Sequence, residues 1–178
     1  MLTRLVASLL IAAAAGSAAA EDTSSSVIAV YDSRAVAVAY AGSAFHQKEL
    51  AALKSALAEA KTSGNAARIK AAEAAFPESQ DRIHRQGFGS APVDDILKQI
   101  PNETAEIQKS VSAVALLSKW DEAGIARYPG SAQIDVTDKL IDAFQPNEKQ
   151  RRFATDIQKK PPLSKEVLDS ELPKEGRR

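Results

Sequence analysis

Two histidines and a glutamate are the residues in this 178-residue chain that could hold a metal ion. His46 and Glu49 occupy neighbouring positions on one predicted helix, and His84 lies on the next, where pairing of the two helices would bring it near them. A zinc site needs a third or fourth ligand and groups that orient those ligands. We therefore expect solvated histidines and no metal. The alternative is a small exported enzyme or metal-binding protein that uses these three residues.

The other candidates for chemistry are serines and a glycine pair. Ser33, Ser43 and Ser90 lack the Gly-x-Ser-x-Gly context of a nucleophile elbow, so each is interpreted as a helix cap. Residues 87–89, Gly-Phe-Gly, are too short for a phosphate-binding loop and are interpreted as a turn. The sequence therefore predicts no catalytic residue and no cofactor, which favours a binding protein over an enzyme.

The first twenty residues have the pattern of a secretory signal peptide. Arg4 precedes an apolar run over residues 5–15, and small residues at 18–20 offer a cleavage site before Glu21. An apolar run of this length is too short to span a bilayer, which takes roughly 20 residues. The chain contains no cysteine, so neither a lipid-modified cysteine nor a disulfide can form. We expect export to the periplasm, with no integral membrane segment after cleavage.

The charge balance argues against nucleic acid as a partner. Without Arg4 the chain has 22 Lys and Arg residues against 23 Asp and Glu residues. A nucleic-acid-binding domain concentrates basic residues on one face, and a near-neutral chain offers little excess for that. The length after cleavage suits one domain, which we place at residues 21–145, followed by a charged tail over residues 146–178.

Residues 44–86 form the most regular part of the sequence, here called the predicted arm. It consists of two alanine-rich amphipathic segments, residues 45–62 and 65–86, separated by Ser63 and Gly64. Gly64 suits the left-handed position after a helix, and Asn65 suits the N-cap of the next. Large apolar side chains recur at helical spacing and form a narrow stripe. These stripe residues are Leu50, Leu53, Leu57, Ile69, Phe76 and Ile83.

The predicted arm is an antiparallel helical hairpin that projects from the protein. Its few large side chains are separated by alanines, so it cannot form a globular core alone. Pro77 is expected to interrupt the second helix, because proline removes a backbone donor and disfavours helical dihedrals in the residue before it. Two interpretations of the stripe stay open. It either packs the two helices against each other and has no other role, or it also contacts a bound client.

Short β-branched apolar runs predict a small β-containing body. Strands are expected at residues 27–31, 111–117 and 132–136, the second of them buried on both faces, and a helix is expected to start at Thr137. Strands this short do not form an independently stable sheet, so further copies of the chain are expected to complete the core. Strand residues assigned to this oligomer body are Ile28, Val30, Val114, Leu116 and Val136.

The fold class predicted is α+β, with the body, the projecting hairpin and a disordered C-terminal tail. Residues 148–160 are locally basic, with Phe153 and Ile157 as a weak apolar edge. Residues 161–178 are mixed in charge, contain three prolines and show no apolar periodicity, which is typical of disorder.

The order of these elements resembles the Skp (OmpH-like) family of periplasmic chaperones. The resemblance covers residues 27–144: an opening strand that ends in Asp32, a helical hairpin, a return helix over residues 93–109, a second strand, and the stretch from Ile134 to Leu140 that enters a helix. It implies a homotrimer whose arms surround a cavity for unfolded outer-membrane proteins. The departures are a short arm and the tail after Pro146. We therefore expect a chaperone-like protein that binds unfolded or outer-membrane proteins through the stripe.

Overall fold

The protein combines helices with a small parallel sheet, and this mixture of helix and sheet is consistent with the α+β prediction. A computed structural model describes residues 26–171. The strands are β1 (Val27–Tyr31), β2 (Ala113–Ser118) and β3 (Ala132–Asp135), in the order β2-β1-β3 with both pairings parallel. β1 is central and buried because both faces of its Val-Ile-Ala-Val-Tyr sequence are apolar. The predicted signal peptide lies outside the described residues.

Helices connect the strands and cover the sheet. In chain order they are α1 (Ser33–Ala41), α2 (Ala44–Thr62), α3 (Ala66–Phe88), α4 (Asp94–Leu97), α5 (Pro101–Ser110), α6 (Glu122–Ile125), α7 (Thr137–Ala143), α8 (Glu148–Gln158) and α9 (Lys165–Glu171). α1 lies at the centre of the helical layer and packs against α3, α7 and α8. Ala35, Val36, Ala37 and Ala39 are fully buried and form a core with residues of α4 and α7.

Local sequence signals set most helix boundaries. The Asp32 side chain accepts from the backbone N–H of Arg34 and caps α1, and Ser43 and Asn65 cap α2 and α3 in the same way. Gly64 adopts a φ of 64°, the left-handed conformation expected after α2. The predicted caps Ser43 and Asn65 and the predicted conformation of Gly64 are confirmed.

The predicted interruption at Pro77 is wrong, since α3 continues through it from Ala66 to Phe88. Proline removes one backbone hydrogen bond, while side-chain contacts hold the helix on both sides. Glu73 lies 4.0 Å from Lys61 of α2, and Arg82 lies 2.6 Å from Glu49 of α2. α3 therefore continues across Pro77 while it packs against α2 and α1.

The predicted turn at residues 87–89 is also wrong in part. Gly87 and Phe88 form the last turn of α3, and Gly89 follows as its C-cap, donating its N–H to the carbonyl of Arg85. A Cβ on Gly87 would lie 3.8 Å from Val38, so the two helices approach closely here. This distance is an ordinary van der Waals contact, so Gly87 lies in a helix that has room for a small side chain rather than in a loop.

The expectation that the second strand is buried on both faces is wrong. β2 is an edge strand, its residues are mostly half-buried, and Val114 is 57% exposed. The register passes from Val27–Ala113 to Ile28–Ala115, so Val114 is the extra residue of a β-bulge. An apolar run alone does not distinguish a central strand from an edge strand.

The prediction of a disordered tail is wrong for the residues that the structure describes, which end at 171. α8 packs against α1 through the fully buried Ala154, and the Gln150 side chain donates to the carbonyl of Gly42. α9 packs against α3 through the buried Leu168. Single small or apolar residues make these contacts, so they leave no periodic pattern in the sequence.

Candidate functional site

The stripe residues of the predicted arm lie on α2 and α3, here called the α2–α3 pair. All six, namely Leu50, Leu53, Leu57, Ile69, Phe76 and Ile83, are half-buried. In α2 the one buried residue is Ala60, in the last helical turn before Ser63. The stripe is thus partly covered by the facing helix and partly open to solvent.

A cluster around Glu49 fixes the end of the α2–α3 pair that meets α1. Tyr40 of α1 donates its hydroxyl to Oε2 of Glu49 at 2.5 Å, and Ser79 of α3 donates to Oε1 at 2.9 Å. Arg82 Nη2 lies 2.6 Å from the same Oε1, and its other amino group pairs with Asp95. Three helices therefore meet at one carboxylate.

The Glu49 cluster is built for structure rather than proton transfer. Partial burial raises the pKa of Glu49, but hydrogen bonds from Tyr40, Ser79 and Arg82 outweigh it and lower the pKa to about 2. Burial is the largest cause that raises the pKa of Tyr40 above its ordinary value, and the hydrogen bond to Glu49 is the next largest. Neither group changes protonation state near neutral pH, so the cluster acts as a constant clamp.

The expectation of solvated histidines is wrong for His46, whose side chain is only 13% exposed. His46 Nδ1 lies 3.6 Å from Glu49 Oε2, beyond hydrogen-bond length, and its ring packs against Tyr40 with centroids 5.4 Å apart. His84 packs against Phe88, with ring centroids 5.8 Å apart. Within residues 26–171, no three His, Asp or Glu side chains come together as a group able to hold a metal.

A second polar cluster, which the sequence analysis did not find, lies at the carboxyl ends of the three strands. Asp32 follows β1 and is fully buried together with Arg34. Arg34 donates from Nε to Oδ1 at 3.1 Å and from Nη2 to Oδ2 at 2.8 Å. Lys119, just after β2, lies 2.8 Å from Oδ2, and Trp120 donates to Oδ1 at 3.2 Å. Beyond β3, Thr137 accepts from the backbone N–H of Asp32 at 2.9 Å.

Ligands of open parallel sheets often bind at this edge. Here protein donors occupy the acceptor positions of Asp32. Arg34 and Lys119 also lie over the Trp120 ring, 4.7 and 4.9 Å from its centroid. Burial raises the pKa of Asp32, but hydrogen bonds from Arg34, Lys119 and Trp120 lower it to about 2. The cluster therefore joins the strand ends and offers no free base. The sequence does carry one signal of the Asp32 cluster, namely a charged or aromatic residue directly after each of two strands.

The three serines considered as caps differ in their roles. Ser43 caps α2 and also donates to the carbonyl of Tyr40 at 2.7 Å. Ser33 is the first residue of α1, capped by Asp32, and its buried hydroxyl has no hydrogen-bond partner among the described residues. α4 begins after Val93 without a side-chain cap, so Ser90 does not cap it. The cap interpretation is confirmed for Ser43 alone.

The residues assigned to an oligomer body are mostly inside the protein. Ile28, Val30 and Val136 are buried, Leu116 is half-buried, and Val114 is exposed. Contact with another copy through this set therefore depends mainly on Val114.

An apolar groove of about 480 Å³ opens between α1, α3 and α8. Ala37, Ala41 and Gly87 line it with little side-chain volume, which leaves room between the helices. Phe88 and Phe153 also line it and are 43% and 59% exposed. Sequence reasoning missed the groove because α8 lies in the predicted tail and Gly87 in the predicted turn.

Charged groups lie beside this groove at the C-terminal end of α8. Asp156 of α8 and Lys160, which follows the helix, both line it. Asp156 pairs with Lys159 at 2.8 Å. Arg34 donates from Nη1 to the carbonyl of Lys160 at 2.8 Å, so the buried Asp32 cluster also holds this side of the groove in place.

Comparison with known proteins finds no matching family model, no matching curated protein and no matching solved structure. The resemblance to the Skp family therefore stays a prediction. Over residues 26–171, no helix has the length and apolar character needed to cross a membrane.

Proposed function

We propose that this chain is an exported, non-enzymatic, chaperone-like protein that binds apolar segments of unfolded or outer-membrane proteins through the α2–α3 pair. The observation that carries the proposal is the half-buried state of all six stripe residues. These side chains retain apolar surface beyond that covered by the facing helix, and a second polypeptide could cover it. The periplasm is the compartment that we propose.

We infer that α2 and α3 form the projecting antiparallel hairpin. Contacts across the pair join Glu49 with Arg82 and Lys61 with Glu73, so later residues of α2 face earlier residues of α3. Beyond α3, the main neighbour of α2 is α1, to which the Glu49 cluster fixes it. A helical pair held at one end presents its stripe to solvent over most of its length.

The alternative of a metal-dependent or enzymatic site has weaker support. Glu49 accepts from Tyr40, Ser79 and Arg82, so its carboxylate would have to give up these donors to ligate a metal. A client-binding surface requires no such rearrangement. We therefore retain the binding function.

The proposal is tested by suppression of client aggregation. An outer-membrane β-barrel protein is diluted out of urea with wild-type protein, Phe76→Ala or Leu53→Ala, and light scattering is followed. The matched control is Ile107→Ala, which removes a half-buried side chain of α5. We expect both stripe variants to lose most of the suppression and the control to retain it.

Stability is measured on the same variants. Fully buried Leu→Ala changes cost about 2 to 5 kcal/mol, and half-buried positions should cost less. We therefore expect nearly unchanged thermal unfolding for Phe76→Ala. A large loss of helicity with intact client binding per folded molecule would return the stripe to a purely structural role and refute the proposal.

A further inference from the structure

The groove between α1, α3 and α8 has the dimensions of a small-molecule site. Its volume of about 480 Å³ falls within the roughly 300 to 1,000 Å³ typical of ligand pockets. A standard protein interface buries roughly 800 Å² on each partner and would need surface well beyond the groove. A ligand of small-molecule size therefore matches the groove better than a second folded protein.

The chemistry of the lining favours a ligand with a long hydrocarbon part. Val38 of α1, Ile83 and Phe88 of α3, and Phe153 and Ile157 of α8 present hydrocarbon or aromatic surface. Such surface offers no hydrogen bond to polar groups along a ligand, and burying those groups unpaired is costly. An unsubstituted alkyl chain avoids this cost and gains about 0.8 kcal/mol for each buried CH₂ group.

The charge beside the groove favours an anionic end group. Asp156 forms an ion pair with Lys159 and also interacts electrostatically with Lys160, so one carboxylate faces two lysine ammonium groups. Two lysines beside one carboxylate leave a positive excess at this side of the groove, and the hydrogen bond from Arg34 holds the backbone of Lys160 there.

We infer that this groove binds a single-chain amphiphile with one carboxylate, a medium- or long-chain fatty acid, with the alkyl chain between Phe88 and Phe153 and the carboxylate at Lys160. This activity is separate from capture of unfolded polypeptides by the stripe. Ile83 is the residue that both surfaces share, so the two activities can be tested on different side chains.

The test is isothermal titration calorimetry of the full chain with dodecanoate, below its critical micelle concentration. Dodecanol, which lacks the charge, is the ligand control. The variants are Phe153→Ala and Lys160→Gln. Their matched controls are Val167→Ala, at an exposed apolar residue of α9 outside the groove, and Lys109→Gln on α5, at an exposed lysine. All four positions are exposed, so each variant should fold, and circular dichroism checks this.

We expect saturable binding of one dodecanoate per chain. Phe153→Ala should weaken it roughly five- to tenfold because the alkyl chain loses an aromatic wall. Lys160→Gln should lower the affinity for dodecanoate roughly threefold, as expected for loss of an exposed ion pair. The affinity for dodecanol should stay unchanged. The two control variants should bind as the wild type does.

Three results would overturn the inference. Absence of saturable binding would exclude the site, and equal affinity for dodecanol and dodecanoate would exclude the role of Lys160. If Phe153→Ala weakened suppression of client aggregation but left dodecanoate affinity unchanged, the groove would belong to the polypeptide-binding surface instead.

Discussion

Glu49 of α2 and Arg82 of α3 form an ion pair, with Nη2 of Arg82 2.6 Å from Oε1 of Glu49. The two residues are 33 positions apart in the chain, and both side chains are about two-thirds covered. Because Tyr40 and Ser79 donate to the same carboxylate, the pair connects α2 to both α1 and α3. The protonation state of Glu49 therefore affects how firmly the α2–α3 pair is held against α1.

Acid should remove the stabilising effect of Glu49. Its pKa is lowered from 4.5 to about 2 in the folded protein, so the unfolded chain binds a proton more readily. The contribution is complete above about pH 4.5 and is lost as the pH falls toward 2. We expect Glu49→Gln to lower the melting temperature near pH 7, with a difference from the wild type that shrinks below pH 4.5.

The matched control for this pH series is Glu106→Gln on α5, an exposed carboxylate with no ion pair among the described residues. It should follow the wild-type melting curve at every pH. Asp32 contributes over the same acid range, which is why the difference between variants is measured rather than the wild-type curve alone. A pH-independent difference for Glu49→Gln would contradict the prediction.

Removing Arg34 should destabilise the protein strongly. Arg34→Met leaves the buried Asp32 carboxylate without its fully buried charge partner and with Lys119 alone, and breaking a buried pair costs about 3 to 5 kcal/mol. The double variant Asp32→Asn with Arg34→Met should recover part of this loss, because it also removes the buried charge. Urea denaturation provides the free energies of unfolding.

Arg152→Met, at an exposed position of α8, is the control and should change stability by less than about 0.5 kcal/mol. If the double variant is as unstable as the sum of the two single variants, Asp32 and Arg34 are not coupled and the cluster does not join the strand ends as described.

Two glycines at the end of α3 should respond in opposite ways to alanine. A Cβ on Gly89 would lie 2.7 Å from Leu168 and 2.8 Å from the carbonyl oxygen of Arg85, whereas a Cβ on Gly87 meets only Val38, at 3.8 Å. Gly89→Ala should therefore displace Leu168 and loosen α9. Gly87→Ala should be neutral or stabilising by up to about 1 kcal/mol, the difference in helix propensity.

Hydrogen exchange over residues 161–171 measures the effect of each glycine variant. We expect faster exchange in Gly89→Ala and wild-type exchange in Gly87→Ala. The Arg85–Asp169 ion pair, at 2.7 Å, also ties α9 to α3, so the amides should not become fully unprotected. Equal exchange in both variants would show that Leu168 does not hold α9 in place.

The predicted homo-oligomer, a trimer by resemblance, can be tested through Val114. This residue is 57% exposed on the edge strand β2, at the bulge. Light scattering of wild-type protein at micromolar concentration should give three times the chain mass, and Val114→Lys should give the mass of one chain. The control Val167→Lys, at an exposed residue of α9, should behave as the wild type. If light scattering gives the mass of one chain for the wild-type protein, the predicted homo-oligomer is wrong.

The sequence determined those features that depend on neighbouring residues. Asp32, Ser43 and Asn65 cap helices because an N-cap needs one side-chain acceptor within three residues of the free N–H groups. Gly64 ends α2 because glycine adopts a positive φ at little cost. The strand at Val27–Tyr31 follows from a β-branched apolar run. These signals fixed the element types over most of the α+β fold.

Tertiary structure decided the features that depend on residues distant in sequence. Pro77 stays within α3 and Gly87 stays helical because packing against α2 and α1 outweighs local propensity. α9 is ordered through Leu168, a contact with α3 that has no periodic signature. The Asp32 cluster and the groove exist only because a parallel sheet and α8 bring together groups about 90 to 130 positions apart. A spacing rule that covers a few residues carries no information about such contacts, so only the folded chain reveals them.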